Sequence, residues 1–251
     1  MLIGLDSTAV RSARRDASSV DATTAGSAGF EHVYPEALGN VDELVLPPGV
    51  VCDVCNNGPL ARADRSLVDF PIVQMLRAER GIPTKKGKPV KAEFRDATLF
   101  WTGPRDLMVE SKTGGPIVRE MGGGRFTTSE LKSTSPIKEA TFRSMAYAVW
   151  KMAIEWLYAL LGPAAGFDPI LDPVRREILG AGDRHGWLLT RVVANPHEHL
   201  ELTARPEIIG GRKCLPMYFS AFGFDLWTDP LRRHIPRERI RPPFEANVWV
   251  F

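Results

Sequence analysis

The sequence predicts an α+β fold, in which a small strand–strand–helix unit precedes a region with one long helix and several antiparallel strands. Three observations predict it. Within residues 29–81, two short apolar runs separated by turn residues lead into a helical pattern. Residues 135–161 carry apolar side chains at helical spacing between a start and a stop signal. Beyond residue 187, short runs rich in Val, Leu, Phe and Trp alternate with turn residues, as antiparallel strands do.

Residues 1–28 are rich in Ser, Ala, Thr, Asp and Arg, with no periodic apolar face after Val10, and read as a mobile arm. A strand over 30–34 runs into Pro35. After Pro47-Pro48-Gly49 a second strand is expected over 50–52, and a helix over 60–77. Residues 82–251 then form an appended α+β region. Short strands over 99–101 and 107–110 are punctuated by Gly114-Gly115 and by Gly122-Gly123-Gly124. The long helix starts at the N-cap Ser135 with Pro136 in its first turn, and stops at Gly162-Pro163. Met145, Val149, Met152, Trp156 and Leu160 form its core stripe, and Lys151 and Glu155 are expected on its surface. A shorter helix over 174–179 precedes strands over 187–193, 199–203, 217–222, 224–227 and 247–251.

Composition narrows the function classes. The 251 residues are 44% apolar and 25% charged, as in ordinary globular proteins. A net charge of +2 means that any nucleic-acid site must be a local basic patch. Three cysteines make no secreted disulfide framework, and Cys52-x-x-Cys55 suits a metal or redox role in a reducing compartment. No signal segment opens the chain, and Lys151 and Glu155 interrupt its longest apolar run, so a cytoplasmic protein outside the membrane is expected.

The chemistry-bearing stretch is Glu31-His32-Val33-Tyr34-Pro35-Glu36-Ala37-Leu38-Gly39, followed by Val51-Cys52-Asp53-Val54-Cys55-Asn56-Asn57. A histidine titrating near neutrality can deprotonate water, while an adjacent carboxylate holds a divalent cation against a phosphate. Neighbouring strand residues point to opposite faces, so a kink or bulge near Glu31 is needed for both to serve one site.

This pattern resembles the HNH (ββα-metal) endonuclease superfamily, in the group with an EH-hydrophobic-x-P-E-x-L-G strand and a C-x-x-C-N-N helix start. The resemblance implies a metal-dependent endonuclease that hydrolyses DNA phosphodiester bonds with one Mg²⁺ or Mn²⁺ ion. His32 would be the general base, Glu31 and Asn56 the metal ligands, and Cys52 and Cys55 half of a structural zinc site. The family's first C-x-x-C has no counterpart, because residues 1–31 contain no cysteine. Structural zinc takes four ligands, so Cys214, a histidine or a partner chain would have to complete the set. For the central Asn of the motif, Asn40 is the nearest candidate. The alternative is a ββα-type module that binds nucleic acid or protein without cutting, as a subunit of a larger complex or alone.

Thr84 to Lys91 packs four lysines into eight residues. Lys85, Lys86 and Lys88 read equally as a solvated hairpin tip and as phosphate contacts. The second basic cluster, Arg232-Arg233-His234 with Arg237 to Arg241, has the same two readings, Asp64 reads as structural, and His197-x-His199 reads as a surface pair.

Overall fold

A computed structural model describes residues 30–39, 44–84, 86–103, 106–114, 118–122, 125–128, 138–193, 200–235, 239–240 and 245–251. The arm expected over 1–28 lies outside the described residues, as does Asn40. Helix and strand are mixed along the chain, so the fold is α+β.

β1 (Glu31–His32) pairs antiparallel with β2 (Val45–Leu46), Glu31 opposite Leu46 and His32 opposite Val45. β2 therefore lies before Pro47-Pro48-Gly49 and not at 50–52. The prolines have no N–H to continue a ladder, and Leu46 is already buried beneath β1. Val50 and Val51 instead form a bend leading to Cys52, which caps the single turn α1 (Asp53–Cys55). A wide turn over Asn56–Leu60, kinked at Gly58, connects it to α2 (Ala61–Val68). α3 (Pro71–Glu79) follows. The helix expected over 60–77 is thus broken. Phe70 is extended (φ −63°, ψ 128°), the conformation that the following Pro71 imposes.

β3 (Lys91–Glu93), β4 (Ala97–Gly103) and β5 (Asp106–Ser111) form an antiparallel sheet over a small core of Ala92, Phe94 and Leu99, against which Met75 of α3 packs. β6 (Val118–Gly122) and β7 (Arg125–Thr128) make a separate hairpin.

The centre of the fold is α4 (Glu139–Leu161), 23 residues long. Lys138 is its N-cap, so it begins later than expected, and Ser135 and Pro136 lie outside the described residues. It ends at Gly162 (φ 82°), and Pro163 opens the short α5 (Pro163–Gly166). Met145, Val149 and Met152 are fully buried, while Trp156 and Leu160 are half-buried. Ala146, Ala148, Trp150 and Ala153 are buried as well. A helix apolar all round is an interior helix, and here α2 covers one side and a sheet another. This overturns the surface placement of Lys151 and Glu155, which are 2% and 5% exposed.

α6 (Asp172–Ile178) packs on α4 close to where the shorter helix was expected. β8 (Trp187–Val192) and β9 (Leu200–Ala204) follow, then the hairpin of β10 (Glu207–Ile209) and β11 (Arg212–Cys214). β12 (Met217–Ala221), β13 (Phe224–Thr228) and β14 (Asn247–Val250) complete an antiparallel sheet of order β14-β8-β13-β12-β9. These strands match expectation to within a residue or so, whereas the β10–β11 hairpin was not expected. Its turn residues Gly210 and Gly211 both have positive φ (57° and 74°), as a two-residue hairpin loop requires. The sheet is tied to α4 by Trp150 Nε1, which donates to Thr228 Oγ1 at 3.0 Å, and by stacking of Phe142 on Trp249. Among the described residues, no helix is long and apolar enough to cross a membrane.

Candidate functional site

The β1–β2 ladder is regular at Glu31 and His32, without the bulge that would bring both side chains to one site. Alternation sends neighbours to opposite faces. Glu31 is buried and His32 half-buried. The Glu31 carboxylate reaches Lys151 Nζ at 2.5 Å, Asp64 Oδ2 approaches the same ammonium at 2.7 Å, and Glu155 Oε2 lies 3.8 Å away, one helical turn along α4. One interior ammonium thus gathers three carboxyls from β1, α2 and α4.

This arrangement does not suit a divalent cation on Glu31. The lysine already neutralises that carboxylate, and a metal bound there would face a buried like charge at close range. The buried cluster is a structural ion network, and its lysine occupies the place a metal on Glu31 would need. Asn56 is half-buried in the turn after α1, while Asp64, expected to be structural, is a member of the network.

Burial pushes the Glu155 carboxyl well above the usual range, with Lys151 pulling against it and Glu31 and Asp64 reinforcing it. Burial would also strip the proton from Lys151, but Glu155, Asp64 and Glu31 together outweigh it and hold the ammonium above its ordinary value. A pKa raised on folding gives stability that is present below the unfolded value, 4.5 for Glu155, and fades as pH rises through the folded value. Glu155→Gln is therefore expected to flatten the decline in stability as pH rises above about 4.5, as read by urea unfolding at a series of pH values. Parallel declines in wild type and variant would show that this carboxyl does not hold the proton.

Cys52 is exposed and its Sγ accepts the Cys55 N–H at 3.2 Å, while Cys55 is half-buried. The hydrogen bond between the thiols draws Cys52 below its usual value and pushes Cys55 up to about 11, burial adding to the latter. Both cysteines line a cavity of about 310 Å³ together with Lys151, Glu155, Tyr158 and Arg175. Cys214 is buried on β11, its thiol donating to the Arg212 carbonyl. Among the described residues, no group of three or more metal-binding side chains includes either Cys52 or Cys55. Among the described residues, four ligands for a tetrahedral zinc ion are not brought together there.

A second concavity is larger. Thr84, Lys86, Lys88, Lys91, Phe100 and Trp101 line an open groove of about 980 Å³. Lys91 and Phe100 are directly opposite across the β3–β4 ladder, and the Lys91 ammonium lies 5.0 Å from the Phe100 ring centroid. Lys86, Lys88 and Lys91 are exposed. The neighbouring Glu93 is held by Lys112 at 2.5 Å and Thr98 at 3.0 Å, and it also feels the charge of Lys91. Lys85 lies outside the described residues, as do His197 and His199.

Of the residues expected to act together, Lys86 and Lys88 share a groove, and Cys52 meets Cys55. Glu31 is drawn away to Lys151. The lysine run was visible in the sequence, but its aromatic partner Phe100 depends on strand register and was not. Comparison with protein-family models, with characterised proteins and with solved structures finds no match for this chain.

Proposed function

We propose that this protein binds nucleic acid, single-stranded DNA foremost, in the groove of Lys86, Lys88, Lys91 and Phe100, and does not act as a nuclease through Glu31 and His32. The groove is the observation that carries this reading. Its ammonium groups offer sequence-independent phosphate contacts, and an aromatic ring beside them offers a stacking surface for an unpaired base. A duplex keeps its bases stacked inside and cannot use that ring, which is why single strands are favoured. The strand–strand–helix unit with its Glu-His and Cys-x-x-Cys-Asn-Asn signature is then a nuclease-like ββα frame whose acidic residue has become part of the core.

Two measurements test the reading. Phe100→Leu keeps an apolar side chain on β4 but removes the stacking face. It is expected to weaken single-stranded oligonucleotide binding by about 1–3 kcal/mol, roughly five- to 150-fold, with little effect on duplex binding. Equal affinities for single strands would remove stacking from the account. In a plasmid-nicking assay with Mg²⁺ or Mn²⁺, wild type and His32→Ala are expected to give the same background. Metal-dependent nicking by wild type alone would restore the endonuclease reading with His32 as base.

A further inference from the structure

We propose that Asp183, His185 and His234 form a binding site for a divalent transition-metal ion, with Zn²⁺ the best match to the donor set. One ligand atom from each of the three side chains lies within 4.8 Å of the others. His234 Nε2 is 3.5 Å from Asp183 Oδ2, and the two imidazole rings stand 5.2 Å apart at 61°. Two imidazoles and one carboxylate suit zinc and its neighbours in the transition series, whereas Mg²⁺ and Ca²⁺ prefer all-oxygen sets. In a tetrahedral zinc site the ligand atoms stand about 3.3 Å apart. The exposed side chains need to close by at most about 1.5 Å to bind, with solvent supplying the fourth position.

The two halves of the site come from distant parts of the chain and are fixed by the fold beneath them. Asp183 and His185 lie just before β8, and His234 follows the turn after β13. Trp187 Nε1 donates to the Arg232 carbonyl at 3.1 Å and joins the two segments. Under the loop sits Glu177, 1% exposed, which accepts the Arg184 N–H at 2.8 Å and the Tyr147 hydroxyl at 3.2 Å. Gly182 is required for this closeness, because a Cβ there would lie 2.6 Å from the Glu177 carboxyl carbon. Arg184 takes a left-handed conformation (φ 60°) that turns the chain between the two ligands.

Arg233 completes the support. Its guanidinium stands 3.4 Å from Glu177 Oε1 and 4.0 Å from Asp183 Oδ1, leaving Asp183 Oδ2 on the side of His234. An outer shell that orients a ligand carboxylate in this way is what metal sites use to fix their geometry. The arginine also brings positive charge close to the ion.

The test uses the full chain with Cys52→Ser and Cys55→Ser, so that thiolates cannot contribute. Zn²⁺ and Co²⁺ are titrated calorimetrically, and Co²⁺ also by its visible absorption. One equivalent is expected to bind near neutral pH, with Mg²⁺ failing to compete and binding lost in acid as the imidazoles protonate. His185→Ala, His234→Ala and Asp183→Asn should each weaken binding by at least the roughly 10–100-fold that loss of an outer-shell partner alone costs. Absence of binding in the Cys52→Ser/Cys55→Ser protein would overturn the proposal. So would unchanged binding in the His185→Ala/His234→Ala protein, which would place the ion elsewhere, as on His197 and His199.

Discussion

Lys151→Met is expected to destabilise the protein by about 3–5 kcal/mol, the usual cost of removing one partner from a buried ion pair. The ammonium is 2% exposed and faces Glu31, Asp64 and Glu155. Without it, buried carboxyls lose their counter-charge in the interior, and methionine fills the space without replacing the interaction. For a chain of this size the midpoint of thermal unfolding should fall by roughly 6–20 °C. Urea unfolding at constant pH gives the free-energy change directly. A companion variant separates charge from packing. Lys151→Met combined with Glu31→Gln and Asp64→Asn removes both signs and should recover most of the loss, because a neutral interior of similar volume is often as stable as the ion pair it replaces. A loss below about 1 kcal/mol in the single variant would be the cost of a surface pair and would contradict an interior network.

Much of the architecture was legible because it rests on local signals. The sheet strands from Trp187 onward are short apolar runs between turn residues, and α4 ends where Gly162-Pro163 says it must. The break at Phe70 was legible too, since Pro71 restricts the residue before it. The reading of one helix over 60–77 gave periodicity more weight than that proline. The placement of β2 failed for a different reason. Val45-Leu46 and Val50-Val51 are equally apolar, and only pairing with Glu31 and His32 selects the first.

The site was harder because its partners meet only in the folded chain. Lys151 and Glu155 at i, i+4 look like a solvent-facing pair on a helix, and only Glu31 from β1 and Asp64 from α2 reveal them as interior. Asp183, His185 and His234 are likewise assembled by the loops around β8 and β13, with no spacing in the sequence to announce them.

A lysine groove that holds a nucleic-acid backbone must show it in the salt dependence of binding. Lys86, Lys88 and Lys91 are exposed, so replacing all three by Ala should leave the fold intact. Binding of a labelled single-stranded oligonucleotide, followed by anisotropy at several salt concentrations, gives log K against log[salt]. Each phosphate contact on a single strand contributes a slope of about −0.7, so losing three should flatten the line by about 2. On that basis the wild-type advantage should shrink roughly sixteen-fold between 50 and 200 mM salt. Weaker binding is expected in the triple variant, with that flattened slope. Coincident lines for the two proteins, equal in both affinity and slope, would contradict it.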